Sequence, residues 1–380
     1  MKKLLCALLT AALLTAQAAA LPDLGPLTAK SAALYDADGK MLYEYNADEP
    51  LQPASVTKIM TMLLVMEAVD SGQVKWTDMV TGSAYAASMG GTQIWLKEGE
   101  QLSLDEMMKA IAVGSANDCA VAVAEHLAGS EAAFVERMNT RAKELGCTGT
   151  TFINANGLDH DGGKTMTTAR DLALISVELL RHPKITDYTT IWMDTIRNGA
   201  FSLANTNKML RKYDGLIGLK TGYISQAGFC ISAAARREGL TLIATVMAAP
   251  TKDDRMADAT ALLNYGFANY TRYAPDLTDA LTPVPVRMGK TDAVPVRTGE
   301  TAGVTVEKEQ IENLSTEVIL PECLDAPVKN GDEIGRAEIR SGETVLLTIP
   351  LLADGDAERL TFGDLYQRFL RTLLMKTEEM

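Results

Sequence analysis

The sequence predicts a mixed α/β (α+β) protein: an antiparallel sheet with a helical lobe, then a small all-β domain and a C-terminal amphipathic helix. Three observations lead to this class. Strand patterns occur at both ends of residues 29–270, whereas helical periodicity fills the middle. After residue 275 the composition shifts to Val, Thr, Pro and Gly in short alternating runs. Residues 360–375 carry one apolar stripe at helical spacing.

The first twenty residues have the three-part pattern of a secretory signal peptide. Lys2 and Lys3 precede an apolar run over 4–14, and small residues follow, with predicted cleavage after Ala18 or Ala20. An uncleaved anchor is the alternative, although the run is short for a membrane span. Loss of the two lysines takes the formal charge from −13 to −15. Nucleic acid is not expected as a partner of so acidic a chain, because both would carry negative charge.

The sheet is expected to start at the mature N-terminus and to be closed by strands far along the chain. Two alternating runs, 31–36 and 41–45, flank Asp38-Gly39, which is a hairpin signal. The sheet's later members are predicted as strands 215–220, 229–235 and 240–248, followed by a helix over about 256–265.

Helical patterns begin at Ser55. Apolar residues cover nearly the whole circumference of the segment from there to Gly72, so this helix is expected to be central and buried. Glycine-rich loops separate the further helices, which are predicted at 104–113, 118–127, 131–145 and 169–180.

The C-terminal third is predicted as a small all-β domain and a terminal helix. Its short strands are expected at 284–288, 294–297, 317–320, 333–340 and 344–350. The terminal stripe consists of Phe362, Leu365, Tyr366, Phe369, Leu370, Leu373 and Leu374, with Arg368, Arg371 and Lys376 off it. We interpret it as a helix lying in a membrane surface. The alternative is a helix packed on its own domain or on a partner.

Cysteine and histidine patterns argue against a disulfide framework, a metal site or a cofactor. The four cysteines beyond Cys6 lie singly in the sequence. Buried free thiols are the interpretation, and a Cys119–Cys147 bridge is the alternative. None of the three histidines lies where a catalytic triad or metal cluster needs it, and His126 falls on an apolar helix.

Three short motifs occur once each and in one order: Ser55-Val56-Thr57-Lys58, Ser115-Ala116-Asn117 and Lys220-Thr221-Gly222. Alone, Ser-x-x-Lys is expected about once by chance in such a chain. Together the motifs supply a nucleophile, a lysine one helical turn away, a polar bridge and a second lysine on a strand. These are the parts for acyl transfer without histidine.

The first motif places Ser55 just ahead of the apolar helix, where its hydroxyl and backbone N–H lie at the positive helix end. Lys58 shares the same helical face and could take the serine proton if a dry, cation-rich pocket keeps its amine neutral. The alternative is an N-cap serine with a solvated lysine.

The other motifs suggest substrate contacts. Ser115-Ala116-Asn117 lies in a loop between two helices, where a simple helix cap is the alternative. Gly222 is expected to let a substrate backbone approach closely, and Thr221 to offer its hydroxyl to an anion. Tyr223 could supply the second oxyanion N–H beside that of Ser55.

From residue 29 to about 270 the chain resembles the low-molecular-weight penicillin-binding proteins, the serine D-alanyl-D-alanine carboxypeptidases. The stretches that carry the resemblance are 53–58, 114–118, 152–154 with 157–158, 168–171, 205–210, 218–223 and 228–230. The β domain and the terminal helix occupy the places where that family has a β-sandwich and a membrane anchor. The resemblance implies a β-lactamase/transpeptidase-like catalytic domain that is inhibited by β-lactams.

By this resemblance the penultimate D-alanine of a peptidoglycan stem peptide would acylate Ser55, with Lys58 as the base. Ser115 would relay a proton to the leaving D-alanine or help activate the deacylating water. Asn117 would bind the substrate amide and hold Lys58. Lys220 would add positive potential and bond to Ser115.

Thr221 would hold the terminal carboxylate together with Arg255, which stands eleven residues before Gly266 as the family's carboxylate arginine stands before its own Gly-Phe pair. A surface arginine paired in solvent with Asp253 or Asp254 is the alternative for this position.

The resemblance also divides the chain. It implies a signal peptide over 1–20, a serine DD-peptidase domain over 21–274, a β-sandwich over 275–355 and an anchor helix over 356–380. Such a protein would be exported and attached peripherally to the outer face of the cytoplasmic membrane.

Three alternatives share parts of this pattern. A class A β-lactamase needs a Glu-x-x-x-Asn stretch between the second and third motifs, and none is present, since Glu178 leads to His182. A D,D-endopeptidase or transpeptidase of the same architecture stays open. A non-catalytic β-lactam sensor would need a signalling segment joined through a membrane span, and no second long apolar run exists.

Overall fold

A computed structural model describes residues 24–159, 163–299 and 303–375, so the predicted signal peptide lies outside the described residues. The α-helices are α1 (Lys58–Asp70), α2 (Ala84–Ala87), α3 (Leu104–Ala112), α4 (Asn117–Ala128), α5 (Glu131–Glu144), α6 (Ala169–Leu180), α7 (Ile185–Thr189), α8 (Lys252–Asn269) and α9 (Phe362–Met375). Short 3-10 helices span Ala54–Thr57, Lys208–Arg211, Thr278–Ala280 and Lys308–Asn313. The predicted helices are present, with ends shifted by a few residues.

Strands of the first two thirds of the chain are β1 (Ser31–Asp36), β2 (Met41–Tyr45), β3 (Met79–Thr81), β4 (Gln101–Ser103), β5 (Met193–Ile196), β6 (Phe201–Ala204), β7 (Leu216–Ile224), β8 (Gly228–Arg237), β9 (Leu240–Ala249) and β10 (Tyr270–Tyr273). Five of them form one antiparallel sheet in the order β2-β1-β9-β8-β7. The strand that begins the sheet therefore pairs with one that follows it by about two hundred residues, as the sequence predicts. This closure brings the third motif, on β7, to an edge of the sheet.

The five-stranded sheet lies between two helical layers. Leu34 and Leu242 face α8 on one side, where Gly266 allows close approach because a side chain there would meet both leucines. On the other side α6 packs on β1 and β9, and α1 packs behind α6. Strands covered on both faces read as nearly continuous runs of small apolar residues, which explains the sequences of β8 and β9.

Helix α1 is the centre of the helical lobe. Its residues are buried on all sides except for three half-buried positions and the exposed Asp70 at its end, which confirms the prediction of a central helix. Lys58, at its first turn, is fully buried among these apolar neighbours. A lysine in such a place needs polar partners or a neutral amine, so its burial marks it for a special role.

The C-terminal third contains β11 (Val284–Arg287), β12 (Ala293–Val294), β13 (Val296–Thr298), β14 (Val304–Glu307), β15 (Leu314–Ile319), β16 (Leu324–Asp325), β17 (Glu333–Ser341) and β18 (Thr344–Ala353). Seven of them form a four-stranded sheet, β13-β18-β17-β15, and a three-stranded sheet, β12-β11-β16. One apolar cluster contains residues of both sheets, and a second is centred on β17 and β18. Strand β10 pairs with β14. A sheet contact thus joins the two regions on either side of the predicted boundary after residue 274.

Helix α9 presents an exposed apolar face. Phe362 is 85% exposed, Phe369 61% and Tyr366 56%. Arg368 lies off this face and donates to the carbonyl oxygen of Lys290 at 3.0 Å. Leu373, Leu374 and Lys376 of the predicted stripe lie outside the residues whose side chains are described. None of the helices in the described ranges is both long enough and apolar enough to cross a membrane.

The four cysteines among the described residues are all free thiols, so the alternative Cys119–Cys147 bridge is not formed. Cys119, Cys147 and Cys230 are buried as predicted. For Cys323 the prediction of burial is wrong, because the residue lies on an exposed loop just before β16.

Candidate active site

Ser55 and Lys58 meet at the start of the central helix. Ser55 lies in the 3-10 turn that leads into α1, and the Lys58 Nζ is 3.0 Å from the Ser55 Oγ. The same Nζ is 2.6 Å from the Asn117 Oδ1 and 2.8 Å from the Asn156 carbonyl oxygen. A neutral amine that donates its two N–H groups to these two oxygens has its lone pair left for the serine hydroxyl. The cluster therefore orients Lys58 as a proton acceptor.

The electrostatics of the cluster favour that neutral amine. Burial lowers the pKa of Lys58 well below its ordinary value, and the positive charge of Lys220 lowers it further. The buried carboxylate of Asp118 acts in the opposite direction. Burial also lowers the pKa of Lys220, to about 7, with the Arg255 charge as the second cause. Both lysines are thus far easier to deprotonate than a solvated lysine.

The Asn156 carbonyl was not predicted as part of the site. It belongs to residues 154–157, a tight turn in which the Asn154 side chain accepts the Gly157 N–H at 2.6 Å. A second contact fixes this turn to α1, because the Thr61 hydroxyl donates to the Ala155 carbonyl oxygen at 2.6 Å. The Asn-x-Asn-Gly pattern is a turn signal in the sequence, but nothing local indicates that its carbonyl faces a lysine.

Gly157 lets this turn approach the nucleophile segment. Its φ is +81°, and a Cβ there would lie 1.9 Å from the Ala54 carbonyl oxygen and 2.6 Å from the Thr57 Oγ1. Any side chain must therefore push the turn away from the segment that carries Ser55. Glycine is the residue that combines this backbone conformation with this contact.

The second motif lies in the turn between α3 and α4. Ser115 has a φ of +61°, is 4% exposed and lines the cleft in front of Ser55. A left-handed conformation for a residue with a side chain is costly, and such strain is frequent at functional sites. Asn117 is the first residue of α4, but the N-cap residue is Ala116 and no side chain caps the helix, so the helix-cap alternative is wrong.

Asn117 and Asp118 hold a loop that forms one wall of the cleft. The Asn117 side chain donates to the Gly90 carbonyl oxygen at 2.8 Å. The Asn117 backbone N–H donates to the Thr92 carbonyl oxygen at 2.7 Å. The Asp118 carboxylate accepts the backbone N–H of Ile94 at 3.0 Å. Thr92 consequently lines the cleft, a placement that the sequence did not indicate.

The third motif lies on β7, where its glycine makes a packing contact that was not predicted. A Cβ at Gly222 would lie 2.5 Å from the Pro53 carbonyl oxygen and 3.0 Å from the Ser55 nitrogen. The missing side chain therefore lets the strand pack against the segment that carries Ser55, a contact that the sequence did not indicate, and Gly222 also lines the cleft. The Thr221 hydroxyl faces the cleft and donates to the Thr206 hydroxyl at 2.9 Å, which adds an unpredicted residue.

Lys220 is fully buried, and the hydrogen bond of its ammonium goes to the Thr221 carbonyl oxygen at 3.1 Å. The expected bond from Lys220 to Ser115 is not present among the described residues. Lys220 therefore acts on the cluster through its charge when it is protonated, and that charge lowers the pKa of Lys58.

Arg255 is buried beneath the cleft floor, so the alternative of a solvated surface pair is wrong. It is 8% exposed and approaches the Gly222 and Cys230 carbonyl oxygens at 3.5 and 3.4 Å. Its Nε is buried without a hydrogen-bond partner among the described residues. Burial lowers the pKa of this guanidinium. A buried, incompletely paired cation that lines a cleft is suited to an anionic ligand.

Tyr223 follows the third motif and is 55% exposed at the cleft edge, stacked on Phe229 with ring centroids 4.2 Å apart. The cleft has a volume of about 450 Å³ and brings most of the predicted residues together. It is lined by Ser55, Thr92, Ser115, Thr206, Lys208, Lys212, Thr221, Gly222, Tyr223, Phe229, Lys252, Asp253, Arg255 and Met256. Three predicted residues lie behind this lining: Lys58, Asn117 and Lys220. Lys58 contacts Ser55 and Asn117, and Lys220 contacts Thr221.

Comparison with known proteins identifies the family of this chain. Residues 15–251 match the family model for D-alanyl-D-alanine carboxypeptidase, peptidase family S11. The chain belongs to that family. Its reaction is thus that of a serine-type D-alanyl-D-alanine carboxypeptidase, and the endopeptidase, transpeptidase and sensor alternatives are not favoured. Residues 278–359 match the C-terminal domain of penicillin-binding protein 5, which confirms the predicted class of the second domain.

Individual relatives extend the match over most of the chain. D-alanyl-D-alanine carboxypeptidase DacF of Bacillus subtilis is 38% identical over 340 residues, which are 88% of this chain and 87% of the relative. The structure of penicillin-binding protein 5 from Haemophilus influenzae superposes with a TM-score of 0.70 at 28% identity, covering 88% and 99% of the two chains. Penicillin-binding protein D2 from Listeria monocytogenes, in its ampicillin-bound form, is 36% identical with a TM-score of 0.59, covering 63% and 98%.

The lowered pKa of Lys220 gives the folded protein a stability that depends on pH. Between pH about 7 and the unfolded-state value of 10.5, the unfolded chain binds this proton while the folded chain does not. The free energy of unfolding therefore rises with pH across this window and falls as pH drops back towards 7. Lys220→Met removes the group, so we expect urea unfolding to show the wild type gaining a few kcal/mol relative to the variant between pH 7 and pH 10. A difference that stays constant with pH would contradict a neutral buried Lys220.

Proposed function

We propose that Ser55 is the nucleophile and that Lys58 is its general base. The Ser55 Oγ attacks the carbonyl carbon of the penultimate D-alanine of a stem peptide while the Lys58 amine takes the hydroxyl proton. The C–N bond to the terminal D-alanine then breaks, and this residue leaves with a proton delivered through Ser115. Water attacks the resulting ester, which releases the shortened peptide and restores the Ser55 hydroxyl. The arrangement of Lys58, with two acceptors for its N–H groups and 3.0 Å to the serine, is the observation that carries this assignment.

The remaining residues bind the substrate in this proposal. Arg255 and the Thr221 hydroxyl hold the terminal carboxylate, since both line the cleft and the guanidinium is incompletely paired. The backbone N–H groups of Ser55 and Tyr223 stabilise the oxyanion, because Gly222 brings its strand against the Ser55 nitrogen. Asn117 fixes the base and offers its amide to the substrate.

A β-lactam tests the acylation step directly, because its opened ring stays attached to the nucleophile. We expect mass spectrometry after incubation with benzylpenicillin to find one covalent adduct, on the peptide that contains Ser55. An adduct on another serine would contradict the assignment. D-alanine release from a diacyl-Lys-D-Ala-D-Ala peptide then tests turnover: labelling without release would indicate an endopeptidase, a transpeptidase or a sensor.

We further infer that the substrate is met outside the cytoplasm and that α9 attaches the protein to a membrane surface. The predicted signal peptide and the match to a family that acts on D-alanyl-D-alanine peptides support export. Three strongly exposed aromatic rings on one face of α9 support insertion into a lipid interface rather than packing on the β domain.

Changing those rings is expected to detach the protein from lipid. For the variant carrying Phe362→Ser, Tyr366→Ser and Phe369→Ser, we expect co-sedimentation with vesicles of anionic phospholipid to fall about tenfold or more, from the loss of buried apolar area. Met193→Ser, which removes an apolar residue 64% exposed on β5, is the control and should still sediment. Equal binding by the triple variant would show that α9 is not the anchor.

A further inference from the structure

Besides the residues assigned to the terminal carboxylate, the cleft lining contains three lysines, Lys208, Lys212 and Lys252, which we call the cationic rim. All three lysines line the cleft and are exposed. No ion pair or hydrogen bond of their ammonium groups is found within the described part of the chain. The rim is therefore a concentration of unpaired positive charge in a protein whose formal net charge is −13.

Each lysine lies close in sequence to a residue at the proposed binding site of the terminal carboxylate. Lys208 lies two residues after Thr206, whose hydroxyl accepts the hydrogen bond from Thr221. Lys208 is also the first residue of a 3-10 helix, and Lys212 follows the last residue of that helix. Lys252 is the first residue of α8 and stands one helical turn before Arg255. In the proposed binding mode, in which Thr221 and Arg255 hold the terminal carboxylate, the rim therefore belongs to the leaving-group side of the scissile bond.

The charges in the cleft exceed what one carboxylate needs. Asp253 is the single carboxylate among its described lining residues, against four cations when Arg255 is counted with the lysines. The terminal carboxylate of the substrate would neutralise one of these four positive charges, and the Asp253 carboxylate a second. Two positive charges then remain without a negative counterpart. A second anionic group on the departing residue would provide one.

We propose that Lys208, Lys212 and Lys252 form a subsite for a second carboxylate on the leaving group. The preferred leaving residue would be a D-amino acid with an acidic side chain. This inference rests on the proposed function, because it takes the terminal carboxylate to lie on Thr221 and Arg255.

A pair of substrates that differ only in charge tests the subsite. Diacyl-Lys-D-Ala-D-Glu and diacyl-Lys-D-Ala-D-Gln have nearly the same shape, and diacyl-Lys-D-Ala-D-Ala serves as the reference. At 0.15 M salt we expect the wild type to have a kcat/KM roughly three- to tenfold higher for the D-Glu than for the D-Gln peptide, since exposed ion pairs are individually weak. In the variant Lys208→Gln, Lys212→Gln, Lys252→Gln this ratio should fall to about one, while the reference peptide is still hydrolysed.

A matched variant separates the subsite from the general effect of charge. Lys75→Gln, Lys143→Gln, Lys329→Gln removes the same charge from exposed lysines that do not line the cleft, and it should keep the wild-type ratio. A ratio that is unchanged in the rim variant overturns the proposal, as does an equal fall for all three substrates, which would indicate long-range steering. Absence of D-alanine release from the reference peptide by the wild type would instead contradict the proposed function.

Discussion

Ser55→Ala is expected to abolish D-alanine release. The substitution removes the one oxygen that lies 3.0 Å from the Lys58 amine, so no ester can form at this position. Removing the nucleophile of a serine hydrolase lowers kcat by orders of magnitude, and we expect a fall of about 10⁴-fold or more. The measurement is D-alanine released from diacyl-Lys-D-Ala-D-Ala by the purified mature protein.

The serine substitution is compared with Ser225→Ala, which changes an exposed serine in the turn between β7 and β8. This control should release D-alanine at the wild-type rate and form the penicillin adduct. If Ser55→Ala keeps substantial activity with an unchanged unfolding curve, another residue is the nucleophile. The unfolding curve is needed because Ser55 lies in the packed turn beside Gly222.

Gly157→Ala is expected to damage both stability and activity, although the residue carries no chemistry. The new methyl group would meet the Ala54 carbonyl oxygen at 1.9 Å, far inside contact distance, so the turn or the nucleophile segment must move. Movement of the turn withdraws the Asn156 carbonyl from Lys58 and frees an N–H that then competes for the serine oxygen. We expect a loss of about 3 kcal/mol in the free energy of unfolding and at least a tenfold slower acylation by penicillin.

Gly129→Ala isolates the contribution of the backbone angle. Gly129 has a φ of +80°, nearly that of Gly157, but no atom lies within 4 Å of where its Cβ would be. This variant should lose only about 1 kcal/mol in urea unfolding and acylate normally. Equal destabilisation of the two variants would mean that the contact between Gly157 and Ala54 has no energetic consequence.

Short-range patterns in the sequence predicted much of this molecule. The hairpin of β1 and β2, the buried helix α1 and the strands β7 to β9 follow from periodicity and turn residues. The spacing from Ser55 to Lys58 also suffices for their meeting, because residues three apart share one face of a helix. Such relations depend only on local backbone geometry, which the chain carries wherever the segment is placed.

Tertiary structure decided the contacts that complete the site. The Asn156 carbonyl reaches Lys58 across 98 residues of sequence, and Thr206 joins Thr221 from another segment. The contact of Gly222 with Pro53 and Ser55 was likewise not predictable, since those residues lie far from it in sequence. The burial of Arg255 was not predictable either, because Arg255 follows two acidic residues as a surface arginine would.

The physical reason is the same for each. A periodic pattern states which face of an element is apolar, but which distant segment covers that face depends on the packing of the whole chain. The sequence by itself therefore determined the elements and the residues that we propose as nucleophile and base. Only the folded chain determined that the Asn156 carbonyl contacts Lys58, that Gly157 allows this turn to approach the segment of Ser55, and which cations line the cleft.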